Sequence, residues 1–259
     1  METEAIVFKK NRGSLLAMLK MDFRRMFTQR LLYIMLGCCL AMPIMTLVMT
    51  TAVDGGNSGG MMFDNVWQII GSVSGGSAVM AMDMTSMCNI NLVYFGAAVF
   101  TALYISAEFK SGYAKNLFSA QAKKSSYIIS KILVCAAACV LMLIMFFVGA
   151  MSGGAFSGIS FELGDVTVGN IILCMLSKIF LMFVFLSIYI VVSIFARQKT
   201  WLGIVLGGFV GMLLFMMIPA LTPLNAGIGN VLGCFIAAAA VSLVLGAVGK
   251  VLLQRIDLV

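Results

Sequence analysis

The stretch 104–131 is one of only two long polar, lysine-bearing runs in this 259-residue chain, and its side chains are the first candidates for chemistry. The stretch contains one carboxylate and five amines: Glu108, Lys110, Lys115, Lys123, Lys124 and Lys131. Long apolar segments lie on both sides of the stretch, so it forms a charged hairpin between them. Within the hairpin, Phe109, Tyr113 and Leu117 recur every four residues and are expected to line one side of a short helix. This pattern favours docking to a partner, and resting on a membrane surface is the alternative.

Catalytic and metal-binding functions are disfavoured by residue types that the chain lacks. There is no histidine, which removes Ser-His and Cys-His nucleophile pairs and His-ligated metals. The seven cysteines are odd in number and never spaced as Cys-x-x-Cys, so neither a disulfide framework nor a zinc site is expected. The closest approach to a phosphate-binding loop, Gly246 to Lys250, has the wrong spacing. We therefore predict no enzyme activity, no cofactor and no metal on this chain.

The composition indicates an integral membrane protein. Hydrophobic residues make up 62% of the chain, charged residues only 10%, and the mean hydropathy is +1.08. A bilayer span needs about 20 apolar residues. The apolar runs predict an all-α domain over residues 1–259 with six transmembrane helices, at about 31–52, 88–107, 126–151, 171–196, 200–219 and 231–253.

The distribution of charge predicts the topology. The net charge is +7, and nearly all basic residues flank the apolar segments, as expected for loops on the cytoplasmic side. The loops 53–87 and 151–170 contain acidic residues but no lysine or arginine, which is typical of the outer side. Both termini and the hairpin are therefore predicted to be cytoplasmic. No domain remains that could carry a nucleic-acid site.

Residues 14–30, before the first span, are predicted to form an amphipathic interfacial helix. Leu15, Leu19, Phe23, Met26 and Phe27 lie on one apolar stripe. Lys20, Asp22, Arg24, Arg25 and Gln29 lie largely off it. A basic amphipathic helix that leads into a span favours the inner membrane surface. A merely long, charged helix end is the alternative.

Two features inside the predicted spans could have a function. Lys178 lies within the fourth span, where a lysine either extends to the headgroups or faces a translocation cavity. Gly203, Gly207 and Gly211 are spaced as two overlapping GxxxG motifs, which allow close helix packing. That contact is expected within the chain, with a contact between two protomers as the alternative.

The hairpin resembles that of ABC-2-type transporter permeases. The residues that carry the resemblance are 108–112 (EFKSG), 115–117 (KNL) and 126–132 (SYIISKI). They match a glutamate at the inner end of span two, a glycine four residues on, a Lys-Asn pair and a Tyr-Ile-x-x-Lys start to span three. Ser125 and Ser126 stand where the family often has an arginine before the tyrosine. The arrangement of spans and loops resembles that of the family along the whole chain, and the motifs resemble those of the family over about residues 105–131.

This resemblance implies a mechanism. Such permeases pair as dimers, and each hosts a cytoplasmic ATPase subunit that holds ATP and Mg. The hairpin helix would seat in a groove of the ATPase and pass its movement to spans two and three. The coupling residues implied are Glu108, Phe109, Gly112, Tyr113, Lys115, Asn116 and Leu117. Glu108 is expected to pair with Lys131 or Arg25, with a solvated carboxylate as the alternative.

The short outer loops are similar to those of permeases of the bacitracin-resistance and lantibiotic-immunity kind. This likeness implies a bacterial cytoplasmic-membrane exporter of amphipathic or hydrophobic peptides. A multidrug, lipid or polysaccharide exporter is the alternative within transport. From another class, the alternative is a membrane component of a sensing or assembly complex that does not transport.

Overall fold

The structure, a computed structural model, describes residues 2–54, 63, 65–71, 88–119, 124–164, 166–196 and 199–255. Over these ranges the chain is helical, with one isolated bridge between Asn65 and Ser160. The helices are α1 (Glu2–Thr28), α2 (Arg30–Asp54), α3 (Leu92–Lys110), α4 (Tyr113–Ser119), α5 (Lys124–Ser157), α6 (Val168–Ala196), α7 (Thr200–Phe215), α8 (Ile218–Leu221) and α9 (Ile228–Arg255). The predicted all-α class is confirmed.

Some predictions concern residues beyond these ranges. Most of the predicted outer loop 53–87 lies outside the described residues, as does Lys123 of the hairpin. Within that loop, the short 3-10 turn Val66–Ile69 is described. It is held to the loop after α5, because Trp67 Nε1 donates to the Phe161 carbonyl at 3.0 Å.

Five of the described helices are long and apolar enough to cross a membrane: α2, α3, α5, α6 and α9. They agree in position with five of the six predicted spans, although the second begins at Leu92 rather than at residue 88. The N-terminal helix is longer than the predicted 14–30, since α1 begins at Glu2. The chain is therefore a multi-pass membrane protein by its fold.

The segment predicted as the fifth span is shorter than the others. Helix α7 has 16 residues, which gives about 24 Å at 1.5 Å per residue and is less than the roughly 30 Å of a hydrocarbon core. It ends at Phe215 because Pro219 has no N–H to donate to that carbonyl. The chain then continues into α8, which has Pro219 in its first turn.

Helices α3, α5 and α6 form the centre of the bundle, and α2, α7 and α9 lie outside them. Helix α2 packs on α5, α9 packs on α6, and α3 lies between α6 and α7. The outer helices expose large apolar side chains such as Ile34, Phe209 and Leu243, as suits a surface that faces lipid. Helix α1 packs against the start of α5, so it belongs to the bundle.

Glycines determine how closely two of these pairs approach. A Cβ on Gly211 would lie 2.7 Å from Tyr189 Oη, and one on Gly207 or Gly203 would lie 3.4 Å from alanines of α3. The predicted glycine stripe of α7 thus faces α3 and α6 of the same chain. A second close approach was not predicted: a Cβ on Gly149 would clash with the Leu40 carbonyl of α2.

Candidate functional site

Four charged side chains meet where α1, α3 and α5 come together, and we call Asp22, Arg25, Glu108 and Lys131 the charged joint. Lys131 Nζ lies 2.7 Å from Asp22 Oδ1 and 2.5 Å from Glu108 Oε1. Arg25 Nη1 lies 3.0 Å from the same Glu108 oxygen. Asp22, Glu108 and Lys131 are completely buried, and Arg25 is half-buried. The two acids and two bases balance, which is what makes burial of these charges tolerable.

Hydroxyl groups complete the partners of both carboxylates. Tyr127 Oη donates to Glu108 Oε2 at 2.7 Å. Ser130 Oγ donates to Asp22 Oδ2 at 2.6 Å, and Tyr113 Oη donates to Asp22 Oδ1 at 3.2 Å. Each of the four carboxylate oxygens therefore has at least one donor or cation beside it. A network satisfied in this way holds its helices in one arrangement.

Tyrosine rings surround the two cations of the joint. The Arg25 guanidinium lies 4.7 Å from the centre of the Tyr113 ring, and Lys131 Nζ lies 5.0 Å from that of Tyr127. Tyr104 lies beside both cations, at 5.6 Å and 5.3 Å. Cations on ring faces are attracted by the ring quadrupole. Burial, followed by the charge of Asp22, raises the pKa of the Tyr113 phenol, which keeps its proton available for donation.

The hairpin is linked to two further helices at its ends. Lys110 Nζ donates to Thr200 Oγ1 at 2.7 Å, at the first residue of α7. Lys124 Nζ donates to the Leu253 carbonyl at 2.6 Å, in the last turn of α9, where carbonyls have no partner within the helix. We call this end of the molecule the basic end. The hairpin therefore contacts α7 and α9 as well as α3 and α5.

The apolar stripe of the hairpin faces inward, which differs from the predicted docking surface. Phe109 is 9% exposed, Tyr113 takes part in the joint, and Leu117 packs against the core. The exposed side of α4 carries Lys115 and Asn116 instead. The physical reason is that Tyr113 has both a hydrogen-bond acceptor and a cation to contact on the inner side.

Gly112 makes this hairpin geometry possible. Its φ of +71° lies in the left-handed region, which a residue with a side chain adopts with difficulty. The glycine follows the end of α3, and its N–H lies 3.4 Å from the Phe109 carbonyl. Helix α4 begins at the next residue, so Gly112 turns the chain from α3 back onto the joint.

The inner face of α1 is displaced from the predicted stripe. Met18, Asp22 and Met26 are buried, and of these only Met26 belongs to the predicted stripe. Leu15, Leu19 and Phe23 of that stripe are half-buried. Phe27 is 45% exposed and Arg24 is exposed, so neither lies in the contact with the bundle. Asp22 was not predicted as a site residue from the sequence. A usable signal was present, because Met18, Asp22, Arg25 and Met26 fall on one face at helical spacing.

Glu108 is the predicted site residue whose environment agrees most closely with the sequence analysis. Both bases named for it, Lys131 and Arg25, are its partners in the structure. The alternative of a solvated carboxylate is wrong, because Glu108 is completely buried. The sequence did not indicate that the same lysine also holds Asp22 of α1.

Lys178 belongs to a second buried polar cluster, far from the basic end along α6. Its ammonium donates to Asn91 Oδ1 at 3.0 Å and to Thr222 Oγ1 at 2.9 Å. Tyr94 Oη donates to the Lys178 carbonyl at 2.9 Å. Asn91 precedes α3 and Thr222 follows α8, so this lysine joins two places where helices begin or end. It is completely buried, so it does not extend to the membrane surface.

The fold and these two clusters define a multi-pass membrane protein with a buried ionic link between its N-terminal helix and a surface hairpin. Residues 18–214 match the family described as ABC-2 family transporter protein, and the chain belongs to that family. The match includes the whole charged joint and Lys178. No curated protein and no solved structure matches the chain. Membership makes it a membrane permease of an ABC transporter, a class that generally works with an ABC ATPase.

Proposed function

We propose that this chain is the permease subunit of an ATP-driven exporter, and that the charged joint transmits movement from the hairpin into the spans. The observation that supports this proposal is that Lys131 of α5 forms ion pairs with carboxylates of both α1 and α3. Removing one partner of a buried ion pair destabilises a protein by about 3–5 kcal/mol. Helices linked by such contacts therefore move together when a force acts on one of them.

The ATPase is proposed to bind the exposed side of α4, where Lys115 and Asn116 lie. The inward residues Phe109, Tyr113 and Leu117 then support this surface from behind. A push on α4 would reach Asp22 through the Tyr113 hydroxyl and α3 through the short turn at Gly112. In this proposal ATP and Mg bind the partner subunit, and the permease itself catalyses no reaction.

The proposal includes the finer topology. Helices α7 and α8 together would form the fifth crossing in chain order and bring the total to six. Both termini and the basic end would lie in the bacterial cytoplasm. Residues 1–259 would form one domain. Positive residues at the basic end support this orientation. Two permeases, identical or homologous, would each bind one ATPase. Helix α1 would lie at the inner surface while its buried face contacts α5.

The substrate proposed is an amphipathic or hydrophobic peptide, as in bacitracin resistance or bacteriocin immunity. Its support is the layout of short outer loops and the apolar character of the spans. Lys178 is proposed to line the translocation pathway in another conformation, since a buried lysine in a span usually serves a function. Export of drugs, lipids or polysaccharides is the alternative, and so is a sensing or assembly complex without transport.

Docking can be tested by charge reversal on the exposed side of α4. The tagged full chain is purified with its ABC ATPase, and the amount of ATPase per permease and the rate of ATP hydrolysis in nanodiscs are measured. Lys115→Glu is expected to reduce both by at least about tenfold, which corresponds to about 1.4 kcal/mol of binding.

The control variant is Lys20→Glu, which reverses an exposed lysine on α1 away from α4. It is expected to retain the ATPase. If Lys115→Glu retains the ATPase as well as Lys20→Glu does, the docking surface is elsewhere. If the purified permease transports without any nucleotide-hydrolysing subunit, the proposed function itself is wrong.

A further inference from the structure

The side of the bundle that faces lipid contains an apolar groove between α5, α6 and α9. Its walls are formed by Ile132, Phe180, Phe183 and Phe235, and its floor by Ala238 and Ala239. The rings of Phe180 and Phe235 meet edge to face, with centroids 5.2 Å apart. The small alanines between these large side chains leave the depression open.

The groove offers almost no hydrogen bonding to a ligand. Ser242 is the polar residue among those that line it, and its hydroxyl is shared with Ser187 at 2.8 Å. A polar ligand would lose its hydrogen bonds to water here without replacement. An alkyl chain suits these walls, and lipid hydrocarbon is the solvent around this face.

A cation lies in line with the groove on α9. Lys250 follows Ala239 by three helical turns and so lies on the same side of the helix. At 1.5 Å per residue the separation is about 16 Å, which is roughly half of a 30 Å hydrocarbon core. If Lys250 lies at the headgroups, the groove therefore lies near the middle of the bilayer. A phospholipid acyl chain covers this distance.

The surroundings of Lys250 suit an anionic headgroup. Lys250 is exposed, and it takes part in none of the ion pairs of the described residues. Its neighbour Gly249 brings α9 close to α5, because a Cβ there would lie 3.2 Å from Ile128 Cδ1. This approach brings the start of α5, with Lys124, close to the end of α9, where Lys124 binds the Leu253 carbonyl. Because the Lys124 ammonium is already held by that carbonyl, Lys250 is the lysine of this pair that can contact a headgroup.

We propose that the groove binds one acyl chain of an anionic phospholipid whose phosphate contacts Lys250. The apolar walls would hold a chain of any phospholipid, whereas the lysine would select an anionic headgroup. One basic side chain near an anionic lipid surface favours binding by about fivefold. This binding does not depend on transport, so it can be tested on the permease alone.

The test compares phosphatidylglycerol with phosphatidylcholine of identical acyl chains. The purified full chain is mixed with each lipid in detergent, and lipid retention is measured by native mass spectrometry. The wild type is expected to bind phosphatidylglycerol about fivefold more tightly. Lys250→Gln is expected to bind the two lipids equally, whereas the control Lys20→Gln should keep the preference.

A second pair of variants tests the groove itself. Ala239→Phe fills the floor and is expected to weaken retention of both lipids, while Val244→Phe adds the same bulk to α9 outside the groove lining. The two positions are five residues apart, so their side chains point about 140° away from each other around the helix. Equal retention of the two lipids by the wild type overturns the proposal. So does a preference that survives Lys250→Gln, or a loss that is as large in Val244→Phe as in Ala239→Phe.

Discussion

Lys131 and Asp22 are 109 positions apart in the sequence, yet their side chains lie 2.7 Å apart in the core of the protein. Neither residue is exposed. The contact joins the N-terminal helix to the start of α5, and Glu108 on the other side of Lys131 joins both to α3. A single ammonium group therefore determines how three helices are placed against one another.

Replacing Lys131 by Met should destabilise the protein strongly. Asp22 and Glu108 would remain buried with only Arg25 as a cation, which costs about 3–5 kcal/mol. The free energy of unfolding of the detergent-purified protein measures this loss. Lys20→Met, at an exposed position of α1, serves as the control and should change it by less than about 0.5 kcal/mol. Equal effects of the two substitutions would contradict the role given to Lys131.

The contact between Lys131 and Asp22 can be measured by a double-mutant cycle. Asp22→Asn removes one acid, and the double variant with Lys131→Met removes both charges of the pair. Since the two side chains touch, the double variant should lose less stability than the sum of the single ones, by about 1–3 kcal/mol. Simple additivity would mean that the two groups do not interact in the folded protein.

Tyr113→Phe should make the protein less sensitive to alkaline pH. The folded pKa of the Tyr113 phenol is raised, first by burial and then by Asp22. Its contribution to stability is therefore complete below the unfolded pKa of about 10 and is lost as the pH rises above it. Unfolding followed between pH 8 and 11 should show a smaller loss in Tyr113→Phe than in the wild type. A parallel loss in both proteins would contradict this environment for Tyr113.

The sequence predicted the long helices and the importance of the hairpin, because apolar length and basic flanks are local properties. It also predicted partners for Glu108, since bases at Arg25 and Lys131 were near the same membrane boundary. It did not predict the direction of the Phe109, Tyr113 and Leu117 stripe. Three residues at helical spacing define a face of a helix, but what that face contacts depends on the arrangement of α1 in space.

The position of Asp22 also could not be predicted from local sequence alone. An acid next to several bases on a helix before a span looks like part of a solvated surface. Its burial depends on Lys131, Ser130 and Tyr113, which lie on other helices. The end of α7, in contrast, has a local cause in the sequence, because Pro219 makes the helix end at Phe215.

Gly211→Ala should destabilise the packing of α7, whereas Gly208→Ala should not. A Cβ on Gly211 would lie 2.7 Å from Tyr189 Oη, and a Cβ on Gly208 would have no atom of the described chain within 4 Å. Tyr189 is buried, so moving its ring disturbs the core. A loss of about 1–3 kcal/mol is expected for Gly211→Ala. Thermal unfolding of the two variants side by side measures the difference, and equal midpoints would argue against this close contact.

Lys178→Met separates a structural role of the lysine from a role in transport. The ammonium is buried against two neutral oxygens, those of Asn91 and Thr222, and it makes no ion pair with any described residue. Methionine fills similar space without a charge that must be desolvated. We therefore expect the free energy of unfolding to stay within about 1 kcal/mol of the wild type or to rise.

Transport with the ATPase should nevertheless fall if Lys178 lines the pathway, and Lys178→Arg, which keeps the charge, should retain more of it. Thr222 keeps a partner in the variant, because its Oγ1 also donates to the Ile218 carbonyl at 2.8 Å. A loss of stability above about 2 kcal/mol would show instead that the ammonium holds α3, α6 and α8 together. If Lys178→Met changes neither stability nor transport, Lys178 does not line the pathway, because its charge is then needed neither for packing nor for transport.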